Sequence, residues 1–240
     1  MKYAIIAAGN GSRLHQEGVK APKPLVKVNG ERLIDRLLRI FCNNQATEII
    51  VICNKQMTDV QEHLADVQQH GLNGKEVPLR FIVKTTPSSM HSFYEISSLI
   101  GKESFVLTTV DTIFREDEFS VYIHEFQKEI EGGTQAFMGV TDYIDDEKPL
   151  YVSTDEAMNI TGFHDKNTGN CQYISGGIYG LTPETITTLN NCMERGESRM
   201  RNFQRALIAD GRKTKAYAFT KVLDIDHATD IEKAEEYLKP

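Results

Sequence analysis

The stretch YAIIAAGNGSRL, residues 3–14, places an apolar run directly before a glycine-rich turn. Residues 3–8 are all apolar, which predicts a buried β-strand that ends at the first glycine. Gly9 and Gly11 allow backbone conformations that other residues resist, and they let N–H groups turn toward a ligand without a Cβ in the way. We therefore expect an anion-binding loop at the carboxyl end of the first strand.

Strand-like and helix-like segments alternate along the chain. Strands are predicted at residues 3–8, 48–53, 79–83, 104–110, 136–140 and 174–180, and helices at residues 33–43, 58–69, 92–100, 119–130, from 183, 200–210 and 230–238. This alternation predicts an α/β fold with a mostly parallel sheet covered by helices. Length alone allows two domains, but no Pro/Gly/Ser-rich linker or repeat divides the chain, so we expect one domain over residues 1–240.

Composition limits the classes of partner. The chain has 240 residues, of which 40% are hydrophobic, and a net charge of −7, which argues against binding to nucleic acid or to an anionic membrane. The apolar amino terminus is too short for a signal peptide, and no apolar run approaches the ~20 residues of a membrane span. Four widely spaced cysteines suit a reducing compartment. We expect a cytoplasmic protein with a small-molecule substrate.

Two features beside the glycines favour phosphate binding. Arg13 follows the turn directly and offers a bidentate guanidinium. Pro22 and Pro24 flank Lys23 and restrict the backbone there, which orients the ammonium. Leu14 stands where a Rossmann fingerprint requires its third glycine, and no Gly-Lys-Ser/Thr of a Walker A loop is present. The pattern predicts a phosphate site of neither of those two kinds.

Together these segments resemble the signature of the nucleotidyltransferase superfamily with the glycosyltransferase-A-like fold, Ala-Ala-Gly-x-Gly-x-Arg-Leu followed by Pro-Lys-Pro-Leu. Sugar-phosphate nucleotidyltransferases and molybdenum-cofactor-guanylyltransferase-like proteins share that signature. The resemblance implies a single three-layer α/β/α Rossmann-like domain with a mostly parallel mixed sheet. It also implies transfer of a nucleoside monophosphate from an NTP to a small phosphorylated acceptor, a sugar 1-phosphate or alcohol phosphate, with release of pyrophosphate.

The resemblance assigns roles to single residues. Arg13 is expected to contact the β- and γ-phosphates, and Lys23 to neutralise charge at the attacked α-phosphate, so these two are the expected catalytic residues. The segment of residues 85–92 occupies the place where family members read the base. The expected nucleotide-binding residues are Ala7, Ala8, Gly9, Asn10, Gly11, Ser12, Arg13, Lys23, Ser88, Ser89 and Asp111.

Two acidic positions are expected to bind a metal ion. Asp111 directly follows the predicted strand 104–110, where a carboxylate can hold Mg²⁺ that bridges triphosphate oxygens. The segment of residues 222–235 is similar to the family's closing segment, which supplies the second ligand. Asp226 is the expected second ligand, and Asp224 is the alternative, because the two aspartates would share one face of a strand. Asp230 is expected to cap the final helix.

The residues expected to bind the acceptor are carried by weaker sequence patterns. Ser175 and Gly176 lie in a segment that resembles the lining of the family's acceptor pocket, although a bulged strand explains it equally well. Lys166 corresponds to a basic position near the acceptor phosphate. Two other functions remain open: a glycosyltransferase with a nucleotide-sugar donor, disfavoured because Thr112-Ile113 follows Asp111 in place of an Asp-x-Asp pattern, and a catalytically silent nucleotide-binding regulator.

Overall fold

The structure is a computed structural model that describes residues 1–145, 147–167, 169 and 171–239. Its helices are α1 (Ser12–Gln16), α2 (Leu33–Asn43), α3 (Thr58–His70), α4 (Ser89–Ile100), α5 (Glu116–Glu131), α6 (Thr185–Glu194), α7 (Met200–Ala209) and α8 (Ala228–Tyr237). Its strands are β1 (Lys2–Ala7), β2 (Lys27–Val28), β3 (Glu31–Arg32), β4 (Glu48–Cys53), β5 (Leu79–Val83), β6 (Phe105–Thr109), β7 (Thr112–Ile113), β8 (Ala136–Thr141), β9 (Tyr151–Thr154), β10 (Ile160–His164), β11 (Tyr173–Leu181), β12 (Thr214–Phe219) and β13 (Leu223–Asp224). A 3₁₀ turn spans Lys23–Leu25.

The main sheet has a parallel half and a largely antiparallel half, in which β12 runs parallel to β8. Its strand order is β10-β9-β11-β6-β1-β4-β5, and β8 pairs with both β11 and β12. Strand β1 is parallel to β4 and β6, and β4 is parallel to β5, so the carboxyl ends of these four strands meet at one edge. Strand β11 runs antiparallel to β6, β8 and β9. The α/β prediction with a mixed central sheet is confirmed.

The side chains of β1 alternate between two apolar cores. Tyr3 and Ile5 pack in a core with apolar residues of α2, α3 and α5. Ala4 and Ile6 pack in a second core with apolar residues of α4, α6 and α7. Successive strand residues point to opposite faces, so a strand that is apolar throughout must be covered on both sides. The result is the expected three-layer arrangement of helix, sheet and helix.

Some element boundaries differ from the sequence prediction. Helix α4 begins at Ser89 rather than at position 92, and α8 begins at Ala228 rather than at position 230. Asp230 therefore lies in the first turn of α8, where its Oδ2 accepts hydrogen bonds from the backbone N–H groups of Asp226 (3.1 Å) and His227 (2.7 Å). Asp230 therefore stabilises the start of α8 from a position within its first turn, because its carboxylate accepts hydrogen bonds from N–H groups just before the helix.

Several strands lack a strong pattern in the sequence. Strands β9, β10 and β12 were not predicted, since they mix polar with apolar residues and lie at or near the end of the sheet. Strand β13 covers only Leu223–Asp224, so Asp226 lies beyond it. The expectation that Asp224 and Asp226 share a strand face is therefore wrong, because the chain leaves the ladder between them. Among the described residues, no helix combines the length and hydropathy needed to cross a bilayer.

Candidate active site

The glycine loop, residues 8–11, connects β1 to α1 at the carboxyl edge of the parallel strands. Gly11 has a φ of +57°, and a Cβ built on it would lie 3.1 Å from the Cβ of Lys23. A side chain at this position would therefore push Lys23 away from the loop. In the described part of the chain, the backbone N–H groups of Gly9, Asn10 and Gly11 donate to no protein acceptor. Adjacent free amides of this kind form a concave binding site for an anion.

Lys23 connects the two acidic segments. The residue is the first of the 3₁₀ turn that follows Pro22. It is buried, with 9% of its surface exposed. The Nζ atom lies 2.6 Å from Oδ2 of Asp111 and 2.7 Å from Oδ1 of Asp226. Arg13 donates from Nη1 to the other oxygen of Asp226 at 3.1 Å. Four residues that sequence analysis assigned to one site thus meet in one cluster, which we call the Lys23 cluster.

Local backbone pairing positions the two aspartates. Asp111 follows β6, and β7 directly after it pairs antiparallel with β13. The backbone N–H of Ile225 then donates to the carbonyl oxygen of Asp111 at 3.1 Å. These contacts place the segment that carries Asp226 beside the end of β6, although the two aspartates are far apart in the chain.

The charges in the Lys23 cluster stabilise one another. Burial by itself lowers the pKa of a lysine, but the attraction of Asp111 and Asp226 outweighs it and raises the pKa of Lys23. Burial likewise raises the pKa of Asp111, and the neighbouring Lys23 ammonium more than offsets this, so that the pKa of Asp111 lies below its usual value. The lysine and Asp111 are consequently both charged at neutral pH.

The Lys23 cluster lies between a cavity at the glycine loop and a cavity beside β11. The first, which we call the loop cavity, has a volume of about 290 Å³ and contains the glycine loop; it is also lined by Lys23, Thr86, Ser88, Ser89, Val110 and Asp111. The second, the bulge cavity, has a volume of about 260 Å³ and lies beside β11; it is lined by Arg13, Tyr143, Glu147, Ser175, Gly176, Asp224, Asp226 and Lys233. The cluster has room for one group on each side.

Some of the expected nucleotide-binding residues line the loop cavity and others do not. Ser88 precedes α4, and its hydroxyl lies 2.9 Å from Nδ1 of His91 and accepts a hydrogen bond from the backbone N–H of Arg199 at 3.2 Å. Ser89 is the first residue of that helix and lines the loop cavity. Ala7 is a buried residue of β1, and Ser12 is the exposed first residue of α1; neither lines the two cavities.

The expected acceptor residues fall into two places. Ser175 and Gly176 line the bulge cavity, next to an irregularity in the pairing of β11 with β8. The hydroxyl of Ser175 donates to Oε1 of Gln204 at 2.8 Å. Lys166 lines a different cavity, together with Glu147, Lys148 and Arg201. Glu147 lines both cavities, so the structure places Lys166 next to the bulge cavity rather than in it.

The carboxylates suit a metal ion only together with other ligands. Within the described residues, no group of three or more His, Cys, Asp or Glu side chains is arranged to hold a metal ion. Asp111 and Asp226 each have an oxygen on the same cation, the Lys23 ammonium. Mg²⁺ is commonly bound by one or two carboxylates, with phosphate oxygens and water completing its coordination. Asp111 and Asp226, which already share one positive charge, fit that donor pair. Asp224 lines the bulge cavity beside them.

Some residues of this region were not predicted from the sequence. Asn54 is buried directly after β4 and donates to the glycine loop. A polar residue just past a buried strand, at the same edge as Gly9 and Asp111, is a signal that would have identified it. Glu17 hydrogen-bonds Nδ1 of His227 at 2.6 Å and the N–H of Ala228 at 2.7 Å. No local pattern predicts that contact, because it joins the two ends of the chain.

The fold and the site define a phosphate-handling α/β enzyme, and comparison with known proteins gives its family. The profile of the Nucleotidyl transferase family matches residues 2–239, almost the complete chain. The protein therefore belongs to the nucleotidyl transferase family, and the prediction of a nucleotidyltransferase is confirmed. Of the three functions left open by the sequence, this result selects the first.

The relatives act on phosphorylated small molecules by their names. The chain is 22% identical over 214 residues to a glucose-1-phosphate cytidylyltransferase of Salmonella typhi, covering 80% of this chain and 79% of that protein. A protein of Bacillus anthracis classed as a glucose-1-phosphate thymidylyltransferase, solved with sucrose, superimposes with a TM-score of 0.82 at 20% identity, over 99% of this chain and 94% of that one. The inositol-1-phosphate CTP transferase of T. maritima superimposes with a TM-score of 0.77 at 17% identity, over 100% of this chain and 98% of that one. At these identities the solved structures establish the fold.

Proposed function

We propose that this nucleotidyltransferase is Mg²⁺-dependent, binds an NTP in the loop cavity and a small sugar or polyol phosphate in the bulge cavity, and supplies a nucleotide-activated sugar or polyol. The position of Lys23 is the observation that carries the proposal. Its buried ammonium touches Asp111, which lines the loop cavity, and Asp226, which lines the bulge cavity. If an acceptor in the bulge cavity attacks the α-phosphorus of an NTP in the loop cavity, the reaction takes place between the two cavities, close to that ammonium.

The residues of the loop cavity suit a triphosphate. The free N–H groups of Gly9, Asn10 and Gly11 offer donors for phosphate oxygens. Arg13 lines the bulge cavity, where it pairs with Asp226, and adds a cation at the boundary between the two cavities. Donors that are fixed before the reaction stabilise developing charge without reorganisation. Lys23 neutralises charge on the α-phosphate. Asp111 and Asp226 would hold Mg²⁺, which supplies further neutralisation of triphosphate charge when bound.

The residues of the bulge cavity suit a polyhydroxylated acceptor. Ser175, the Gly176 backbone and the carboxylates of Glu147 and Asp224 offer acceptors and donors for hydroxyl groups. Arg13 lies between this cavity and the loop, where it can pair with the acceptor phosphate. A phosphate monoester is already an ionised nucleophile, so the attack needs no general base. The relatives named for glucose 1-phosphate and inositol 1-phosphate support this acceptor class.

The setting we propose is the cytoplasm, with neither nucleic acid nor membrane as a partner. A net charge of −7 supports this, because both of those partners require a field of basic residues.

The test is pyrophosphate release, measured with each of CTP, UTP, dTTP, ATP and GTP against a panel of hexose 1-phosphates, inositol 1-phosphate and choline phosphate, with and without Mg²⁺. We expect one NTP and one acceptor class to stand out, and EDTA to abolish the signal. Lys23→Met should remove turnover, whereas Lys20→Met, which deletes an exposed lysine of the same segment, should retain it. Release by Lys23→Met at the wild-type rate, or no pair with turnover in the wild type, would contradict the proposal.

A further inference from the structure

The side chain of Asn54 makes four hydrogen bonds. It stands one position past β4 and is 1% exposed. Its Nδ2 donates to the carbonyl oxygen of Ala8 at 3.2 Å and to Oδ1 of Asn10 at 2.8 Å. Its Oδ1 accepts from the backbone N–H of Gln56 at 3.0 Å and from the hydroxyl of Thr85 at 2.8 Å. Two donors and two acceptors are the complete capacity of an amide side chain, and all are used.

The glycine loop has few other restraints. Its residues Gly9 and Asn10 are exposed, and their N–H groups donate to no protein acceptor within the described residues. At its far end, the carbonyl oxygen of Gly11 accepts from the N–H of His15 at 3.2 Å, which belongs to α1. The two bonds from Asn54 are therefore the side-chain contacts that fix the near end and the middle of the loop.

Fixing this loop matters because its free N–H groups have to be aligned before a phosphate arrives. A flexible segment that becomes ordered on binding loses conformational entropy, and the loss is subtracted from ligand affinity. Asn54 also reaches Thr85, at the end of β5, from which the chain continues to Ser88 and Ser89 in the loop cavity. One buried amide thus connects the phosphate-facing loop to the other wall of the same cavity.

We propose that Asn54 is a positioning residue for the nucleotide: it acts through Ala8 and Asn10 to hold the glycine loop in its phosphate-binding shape and in register with the segment after β5. The inference rests on the proposed function, since it takes the loop cavity as the NTP site. A merely structural buried asparagine would contribute to folding stability and leave the KM values of a folded variant unchanged.

The test uses the NTP and acceptor identified by the pyrophosphate assay on the wild-type enzyme. Asn54→Ala should raise the KM for the NTP by about 10-fold or more, with the KM for the acceptor within about 2-fold of wild type. Gln61→Ala is the matched control. Gln61 donates from Nε2 to the carbonyl oxygens of Asn54 (3.1 Å) and Lys55 (3.0 Å), so this variant loses two bonds of the same region without touching the glycine loop. It should lower the melting temperature and leave the KM for the NTP within about 2-fold of wild type.

A double-mutant cycle shows whether Asn54 acts through the loop. Asn10→Ala removes one of the acceptors, so the double variant with Asn54→Ala should raise the KM for the NTP no more than Asn54→Ala alone does. If Asn54→Ala does not fold, Asn54→Ser, which leaves a hydroxyl that can accept from the Gln56 N–H, is judged by the same limits. A folded Asn54 variant with an unchanged KM for the NTP, or with equal increases for both substrates, overturns the inference. Absence of turnover in the wild type would instead contradict the proposed function.

Discussion

The loop cavity and the bulge cavity lie on the two sides of the Lys23 cluster but are constructed differently. The loop cavity is formed where the parallel strands β1 and β6 end, by short contiguous segments of chain. The bulge cavity is formed where β11 departs from regular pairing, together with Arg13 and residues from the segments 141–147 and 222–233. Parallel strand ends meet at one edge by construction, so residues placed there are close whatever the rest of the chain does.

The difference extends to how charge is held. Lys23, on the loop side, is 9% exposed and has two carboxylate partners within 2.7 Å. Lys233, on the bulge side, is exposed and pairs with Asp145 at 2.6 Å in open solvent. A buried charge is fixed in place by its partners, whereas an exposed pair contributes little and rearranges easily. If the proposed assignment of the triphosphate to the loop cavity and of the acceptor to the bulge cavity holds, the donor side is rigid and the acceptor side is adaptable.

The largest expected effect separates Asp224, the last residue of β13, from Asp226, which lies beyond that strand. Asp226→Asn should lower kcat by about 10²- to 10³-fold, because Asp226 holds both Lys23 and Arg13 at the boundary of the cavities. Asp224→Asn should leave kcat within about 3-fold of wild type and raise mainly the KM for the acceptor. Steady-state kinetics of pyrophosphate release give both quantities. If Asp224→Asn showed the greater loss of kcat, the roles assigned to the two residues would have to be exchanged.

A pair of glycines tests how tightly the bulge is constrained. Gly177 and Gly196 both have a φ of +71°, but a Cβ on Gly177 would lie 3.0 Å from Oγ1 of Thr112, and a Cβ on Gly196 would have no neighbour within 4 Å. Gly196→Ala should lower the free energy of unfolding by about 1–2 kcal/mol through backbone strain alone. Gly177→Ala should cost about 1–3 kcal/mol more through overpacking and raise the KM for the acceptor. Urea unfolding measures the difference, and equal losses in the two variants would mean that the bulge adjusts freely.

The same contrast explains what the sequence could and could not predict. Strands β1, β4 and β6 were predicted because burial on both faces makes them apolar throughout, and Lys23, Asp111 and Asp226 were predicted because short signatures carry them. Strand β12 was missed because it mixes polar with apolar residues: Lys215 and Tyr217 are half-buried and Ala218 is exposed. The bonds of Asn54 and the Glu17–His227 contact depend on packing between distant segments, which leaves no periodicity in the local sequence.

On the loop side, we expect Lys23→Met to strengthen metal binding although it removes turnover. In Lys23→Met, Asp111 and Asp226 lose the ammonium that lies between them, so a divalent cation no longer competes with it for the two carboxylates. We expect Mn²⁺ to bind this variant about 10-fold more tightly than wild type in the absence of nucleotide, although turnover is lost. Calorimetric titration at pH 8 measures this, a pH chosen because burial raises the pKa of Asp111 once Lys23 is gone.

Lys20→Met is the matched control for this experiment, since it removes the same charge from the same segment without touching either aspartate. Its affinity for Mn²⁺ should stay within about 2-fold of wild type, because an exposed charge is screened by solvent and salt. The combined Lys23→Met, Asp111→Asn variant should lose the gain. Weaker Mn²⁺ binding by Lys23→Met than by wild type would show that the two carboxylates are not the metal site.

The smallest expected effect lies at the outer margin of the bulge side, next to Lys166. Hydrogen bonds from Arg205 and Arg201, at 2.8 and 2.6 Å, hold the pKa of the Asp165 carboxyl below its usual value. A carboxyl with a lowered pKa stabilises the fold above its unfolded-state pKa, about 3.9, and this contribution disappears as the pH falls through the folded-state pKa. Asp165→Asn should therefore lower the melting temperature at pH 7, by about 2 °C or less because the group is exposed, and the difference should shrink below about pH 4.

The kinetic consequence of the same variant distinguishes the two sides of the site. Asp165 joins the end of β10 to α7 and so restrains the neighbouring Lys166. If Lys166 assists acceptor binding from the adjacent cavity, Asp165→Asn should raise the KM for the acceptor by about 2- to 3-fold and leave the KM for the NTP unchanged. In the Arg201→Met, Arg205→Met background the substitution should have no further effect on either quantity. An increase in the KM for the NTP alone would mean that the antiparallel half of the sheet also shapes the triphosphate site, and the separation of a rigid donor side from an adaptable acceptor side would fail.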